Sequence, residues 1–212
     1  MTTPPNVVYK RRKLETEYDG IVILDGLSPD ERTEWKGALL VQRLVESSHV
    51  PCPILESNTK AEFLFTLDRL HVTAAKGKKV LLHFDCHGST DGIQMGMDTV
   101  LWAEFAPKLE AINYRMGGDL VLNVSACKGI HGIKSVDPLR TGDPFFGIVG
   151  PMHSPTFTEA NEINQKFYFK LTDDVDLSAI VKQINAEAGG DDVLFIVSSE
   201  GYRQLKARTS DG

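Results

Sequence analysis

The sequence predicts an α/β protein, a three-layer α/β/α sandwich with a mostly parallel central sheet. Strand-length apolar runs such as GIVILD (20–25), VLLHF (80–84) and LVLNV (120–124) show no polar alternation, which marks strands buried on both faces. Between them lie longer stretches with apolar residues at helical spacing, and alternating strands and helices build a parallel sheet covered on both sides. Hydrophobic residues at 42% and charged residues at 25% fit a globular chain and exclude collagen-like, coiled-coil and disordered classes. At 212 residues, with no internal repeat, low-complexity segment or linker, one domain over 1–212 is expected, with 1–18 and 202–212 as flexible ends.

The first strand is expected in GIVILDGL (20–27), closed by Gly26 and Pro29. Ser28 then reads as an N-cap, with Pro29 at the first helical position and Glu31 three residues after the cap. Trp35, Leu39, Leu40, Leu44 and Val45 continue at helical spacing, predicting one helix that ends before Pro51. A second helix starts near Asn58 or Thr59 and carries Phe63, Leu64, Leu67 and Leu70, and KKVLLHFD (78–85) is the second strand. Residues 89–97 read as a turn-rich loop with a small hairpin through Val100. Trp102, Phe105, Leu109 and Ile112 form a helical stripe that Gly117 and Gly118 end before the strand DLVLNVSA (119–126). After a long loop come a strand in FFGIVG (145–150), helices over 156–171 and about 177–188, and a last strand in DDVLFIVS (191–198).

Twenty-three Lys and Arg against 29 Asp and Glu give a net charge of −6, which argues against nucleic acid or an anionic membrane as partner. The KRRK run at 10–13 is followed at once by Glu15, Glu17 and Asp19 and reads as a solvated terminus. No apolar stretch follows it, and no run reaches membrane-spanning length, so a cytoplasmic protein is expected. Three cysteines, Cys52, Cys86 and Cys127, suit a reducing compartment rather than a disulfide framework.

In open α/β sheets the site lies beyond the carboxyl ends of the strands. The strand over 78–85 exits into Cys86, His87 and Gly88, and the strand over 119–126 exits into Cys127, Lys128 and Gly129. The helical crossover between them makes the two strands parallel, so His87 and Cys127 are expected at one edge of the sheet. An imidazole there can take the thiol proton and later return it to a leaving amine, which is the chemistry of a cysteine peptidase. The amides of Gly88 and Cys127 are candidates for an oxyanion hole, where each donor is worth on the order of 3 kcal/mol in the transition state. Asp85 shares a strand face with His87 by period two, so either Asp85 or a backbone carbonyl is expected to orient the ring.

The order of His87-Gly88 after one apolar strand and Ser125-Ala126-Cys127 at the end of the next resembles the caspase-like cysteine peptidases, the superfamily of caspases, metacaspases, legumains and separases. The nearest pattern is the bacterial CHAT domain, with HFDCHG at 83–88, VSAC at 124–127, and Phe167-Tyr168 in the downstream helix. The likeness spans roughly residues 20–198. It implies His87 as acid/base, Cys127 as nucleophile, Gly88 and Cys127 as oxyanion donors, protein or peptide substrates, and no cofactor. It also implies a latent effector, activated by a partner protein or a small signalling ligand, in bacterial antiphage defence. Two departures stand out. The Gln that caspases carry two residues before the cysteine and the Asp that metacaspases carry there are both replaced by Ser125, so neither acidic nor basic specificity is inherited. Asp85, Ser125 and Lys128, with the loop to Pro144, are the candidates for lining the substrate pocket, and that loop is a candidate proteolysis-sensitive switch.

Other uses of these residues are weighed on the same grounds. Cys86 continues the Val80, Leu82, Phe84 face and is expected in the core, His83 reads as an interior histidine, and Cys52 as incidental. His83 and Cys86 with Cys127 and His131 offer four metal donors, but positions 83 and 86 fall on opposite faces of a regular strand, so no metal site is assigned. Position 133 is Ile where a cysteine phosphatase loop needs Arg, and no P-loop or dinucleotide glycine motif is present. The alternative to an enzyme is a catalytically silent caspase-like module that binds a partner, since fold alone does not fix function.

Overall fold

The computed structural model describes residues 18–139, 142–172, 176–190 and 192–210. It is an α/β fold around a six-stranded sheet of order β2-β1-β3-β6-β7-β8, with β1 at Gly20–Asp25, β2 at Ile54–Glu56, β3 at Val80–Asp85, β6 at Val121–Ser125, β7 at Gly147–Gly150 and β8 at Phe195–Ser198. All pairings are parallel except β7 with β8. A separate hairpin, β4 (Gly92–Met95) and β5 (Asp98–Leu101), stands where the turn-rich stretch predicted one.

Alternate residues of each strand feed opposite layers. Val22, Leu24, Leu82, Phe84, Leu122 and Val124 pack on one face with the helices α3 (Lys60–Ala74) and α4 (Trp102–Arg115), through Phe63, Leu67, Phe105 and Leu109. Ile21, Ile23, Leu81 and Val121 pack on the other with α2 (Gly37–Glu46), α5 (Phe157–Thr172) and α6 (Leu177–Glu187), through Val41, Phe167, Tyr168 and Ile180. The sandwich therefore has two cores, one on each side of the sheet.

Several expectations change. The stretch after Ser28 is not one helix. It forms α1 (Pro29–Trp35) and α2, broken at Lys36, whose backbone is left-handed at φ 54°. The break turns α2 so that Ala38, Val41 and Val45 are buried while Leu39 and Leu40 face outward. Gly37 is tightly placed, because a Cβ there would stand 2.8 Å from Asp85 Oδ2. The edge strand β2 was not predicted, since three residues beside two prolines carry no periodicity. At the carboxyl terminus a helix that the sequence reading did not assign, α7 (Ser199–Ser210), follows β8, with Tyr202 against the core and Arg203 paired with Asp143 at 2.8 Å. Residues 1–17 lie outside the described residues. Cys52 is a core residue rather than an incidental one, 1% exposed among the α2-side apolar residues, and burial pushes its thiol up to about 12. Among the described residues no helix is long and apolar enough to cross a membrane.

Candidate active site at the carboxyl edge of the sheet

The register of the central strands sets the site. Asp25, Asp85 and Ser125 are aligned across β1, β3 and β6 as the last row of the sheet. The next row on the same face, two residues back, holds Ile23, His83 and Asn123. Two residues beyond the paired Asp85 and Ser125 come His87 and Cys127, each just past the end of its strand, and neighbouring strands run roughly 5 Å apart. The register brings the exits of β3 and β6 to the same edge of the sheet, and His87 and Cys127 are both partly exposed.

Tight backbone packing joins the two turns. A Cβ on Gly88 would fall 2.7 Å from the Cys127 carbonyl oxygen and 2.8 Å from Ala126 Cβ. Only glycine allows this approach, which is a stronger requirement than the open path to a substrate carbonyl inferred from sequence. Gly88 also forms an isolated antiparallel bridge with Ile93, flanked by hydrogen bonds from Ser89 N to Gly92 O and from Gln94 N to His87 O, both 2.9 Å. Gly88 and Ile93 therefore form a non-hydrogen-bonded pair, and the Gly88 amide is not used in the hairpin.

Cys127 sits in a sharp turn. Gly129 N donates to Ala126 O at 2.9 Å, Lys128 is left-handed at φ 57°, and Lys128 N donates to His153 O at 2.8 Å. Gly129 must be glycine, since a Cβ would lie 2.5 Å from Val124 O. The turn leads into a 3₁₀ helix at Gly129–Ser135, whose Ile130 and Ile133 enter the core. The loop after Cys127 is thus anchored along its first half.

The partner of His87 was missed in the sequence. Glu31 Oε1 lies 2.7 Å from His87 Nε2. Glu31 is the N3 residue of α1, and its other oxygen, Oε2, accepts from Ser28 N at 2.9 Å and Ser28 Oγ at 2.7 Å in a capping box. The His87 contact, then Ser28, hold the Glu31 carboxyl down to about 2. The Ser28–Glu31 spacing signalled the helix start, but nothing local signalled its second contact. Phe157 meets the His87 ring edge-on at 5.5 Å and stacks on Trp35 at 4.6 Å, so α1 and the start of α5 flank the imidazole.

Asp85 does not orient the ring. Its side chain lies on the α2 face, 7% exposed, where it accepts from the Ala38 amide at the start of α2 while Oδ2 has no hydrogen-bond partner. The helix N-terminus attracts a carboxylate, which draws Asp85 beneath α2 rather than outward to His87. Burial, and next the charge of Asp25 on the neighbouring strand, push its carboxyl up to about 7. Asp25 pairs with Arg32 at 3.1 Å, and Arg32 also reaches Glu56 at 3.0 Å, tying α1 to the ends of β1 and β2. Of the other pocket candidates, Ser125 Oγ accepts from Asn164 Nδ2 at 2.7 Å and Lys128 is exposed.

The remaining thiol and imidazole candidates are interior. Cys86 is 4% exposed in the α3/α4 core, as expected, and burial first of all pushes its thiol well up. His83 is fully buried on the opposite side, with Nδ1 3.2 Å from Asn123 Nδ2 and Nε2 unpartnered, and burial lowers it to about 3. His83 and Cys86 thus point to different layers and cannot share a metal ion. Among the described residues, no group of three or more His, Cys, Asp or Glu converges to hold one. Comparison of the chain with protein-family models and with curated proteins gives no match.

Proposed function

We propose that the protein is a cysteine endopeptidase of the caspase-like type, acting on protein or peptide substrates through a Cys127–His87 dyad. The observation that supports the reading is the close packing of Gly88 against the Cys127 turn, where the paired strands β3 and β6 leave the sheet at Asp85 and Ser125. In the proposed reaction His87 takes the proton of the Cys127 thiol, and the sulfur bonds to the substrate carbonyl carbon. The oxyanion is met by the amides of Gly88 and Cys127. The C–N bond then breaks as His87 passes the proton to the leaving amine, giving a thioester. Water hydrolyses that thioester with its proton taken by His87, releasing the acid and restoring the thiol.

The CHAT-like pattern supports a latent effector awaiting a partner protein or small ligand, with antiphage defence as its setting. Digestion of a peptide library, read as new termini by mass spectrometry, tests the activity. Low basal cleavage is expected, with its new termini lost in both Cys127→Ala and His87→Ala, and cleavage that persists in Cys127→Ala would overturn the reading.

A further inference from the structure

We propose that Glu31 is a third member of the site, a positioning residue that holds His87 through Nε2 and leaves Nδ1 as the ring nitrogen facing the thiol. The inference rests on the peptidase reading above and deepens it. One carboxylate makes two contacts in opposite directions. Oε2 closes the capping box on Ser28, which fixes the side chain's rotamer, and Oε1 meets His87 Nε2 at 2.7 Å. A carboxylate is acceptor-only, so the shared proton belongs to the ring, and Nδ1 of the neutral imidazole is then the acceptor. When His87 takes the thiol proton at Nδ1, the resulting imidazolium keeps its Nε2–H on an anionic partner, and a charge-assisted bond of this kind is about twice as strong as a neutral one. The proton stays on the ring for the leaving amine, and Glu31 remains ionised throughout.

The placement of Glu31 has its own support. Helix α1 has no fully buried residue, so it is not seated by a buried apolar face. Its fixed points are side-chain contacts: Arg32 on Asp25 and Glu56, Trp35 on Phe157, and the Trp35 carbonyl oxygen accepting from Asn161 Nδ2 at 3.3 Å. These contacts follow Glu31 along the helix while the Ser28 capping box precedes it, and Arg32 is turned to Asp25 and Glu56 rather than competing for the Glu31 carboxylate.

Two readouts on the full-length protein test the assignment. The first is the ring N–H proton of His87 by ¹H–¹⁵N NMR. In the wild type it is expected as a downfield, exchange-protected Nε2–H resonance, retained in Ser28→Ala, weakened in Glu31→Gln and lost in Glu31→Ala. The second is the rate of Cys127 alkylation by iodoacetamide at neutral pH. It is expected to fall about tenfold in Glu31→Ala, the factor set by losing a charge-assisted bond. Glu31→Gln, which keeps the helix cap and a neutral acceptor, should recover part of that loss. A protected proton on Nδ1, or alkylation unchanged in Glu31→Ala while His87→Ala abolishes it, would overturn the role of Glu31 and leave the peptidase reading intact. Alkylation indifferent to His87→Ala would overturn both.

Discussion

His83 and His87 lie four residues apart, His83 within one strand and His87 just past its end, and their surroundings give them opposite properties. His83 lies inside the sheet, fully buried between Asn123 and Tyr168, and stays neutral because no water reaches it. His87 lies past the last row of the sheet, half-exposed, with a carboxylate on one ring nitrogen. Cys86 and Cys127 repeat the contrast: one is packed in the core, the other is carried outward by a turn closed at Gly129. Residue type therefore does not assign chemistry in this chain. Position relative to the carboxyl edge does, because only there do side chains meet both solvent and fixed backbone donors.

The largest expected effect would break the contrast outright. Cys127→Ala and His87→Ala should each lower peptidase turnover on the order of 10³-fold or more with the fold unchanged by circular dichroism, whereas Cys86→Ala should retain Cys127 alkylation. Equal losses in Cys86→Ala would remove the distinction between edge and interior.

Asp85 gives the next effect. Its carboxyl ionises near pH 7 when folded and near 3.8 when unfolded, so the folded state resists ionisation. Stability attributable to this group is highest below pH 3.8 and is lost as pH rises toward 7. Asp85→Asn should therefore stabilise the protein by a few kcal/mol in urea unfolding at pH 8, with the gain shrinking to nothing below pH 4.

His83 titrates the other way. The unfolded chain takes a proton near pH 6.5 and the folded one only near 3, so stability is present above 6.5 and is lost as pH falls toward 3. Each pH unit in that window costs about 1.4 kcal/mol for one proton. His83→Gln should flatten this limb, which is best measured in the Asp85→Asn background, where the opposing slope is absent. The smallest effect is at the Cys127 turn. Lys128→Gly relieves a left-handed residue and should raise stability by about 1 kcal/mol, read as a higher urea midpoint.

The sheet, its alternation of layers and the exit of β3 and β6 at one edge were legible because buried strands, caps and crossovers leave local marks. Ser28 and Thr59 cap the helices they predicted, and Phe63, Leu67, Phe105 and Leu109 enter the core. The helix break at Lys36 left no mark, since lysine is an ordinary helix residue and the turn is imposed by the close seat of Gly37 against Asp85. Glu31 at His87, and the Asn123 contacts with His83 and Tyr168, join residues 40 or more positions apart. Contacts of that kind follow from strand register and helix placement, which no local spacing encodes.

The central claim is that Cys127 and His87 act as one unit at the sheet edge. Iodoacetamide alkylation followed by mass spectrometry against pH, with Cys52 and Cys86 as buried internal controls, tests it without a known substrate. The account predicts fast labelling of Cys127 at neutral pH that collapses in His87→Ala, with both controls slow throughout. Labelling of Cys127 as slow as that of the controls, or unaffected by His87→Ala, would contradict it.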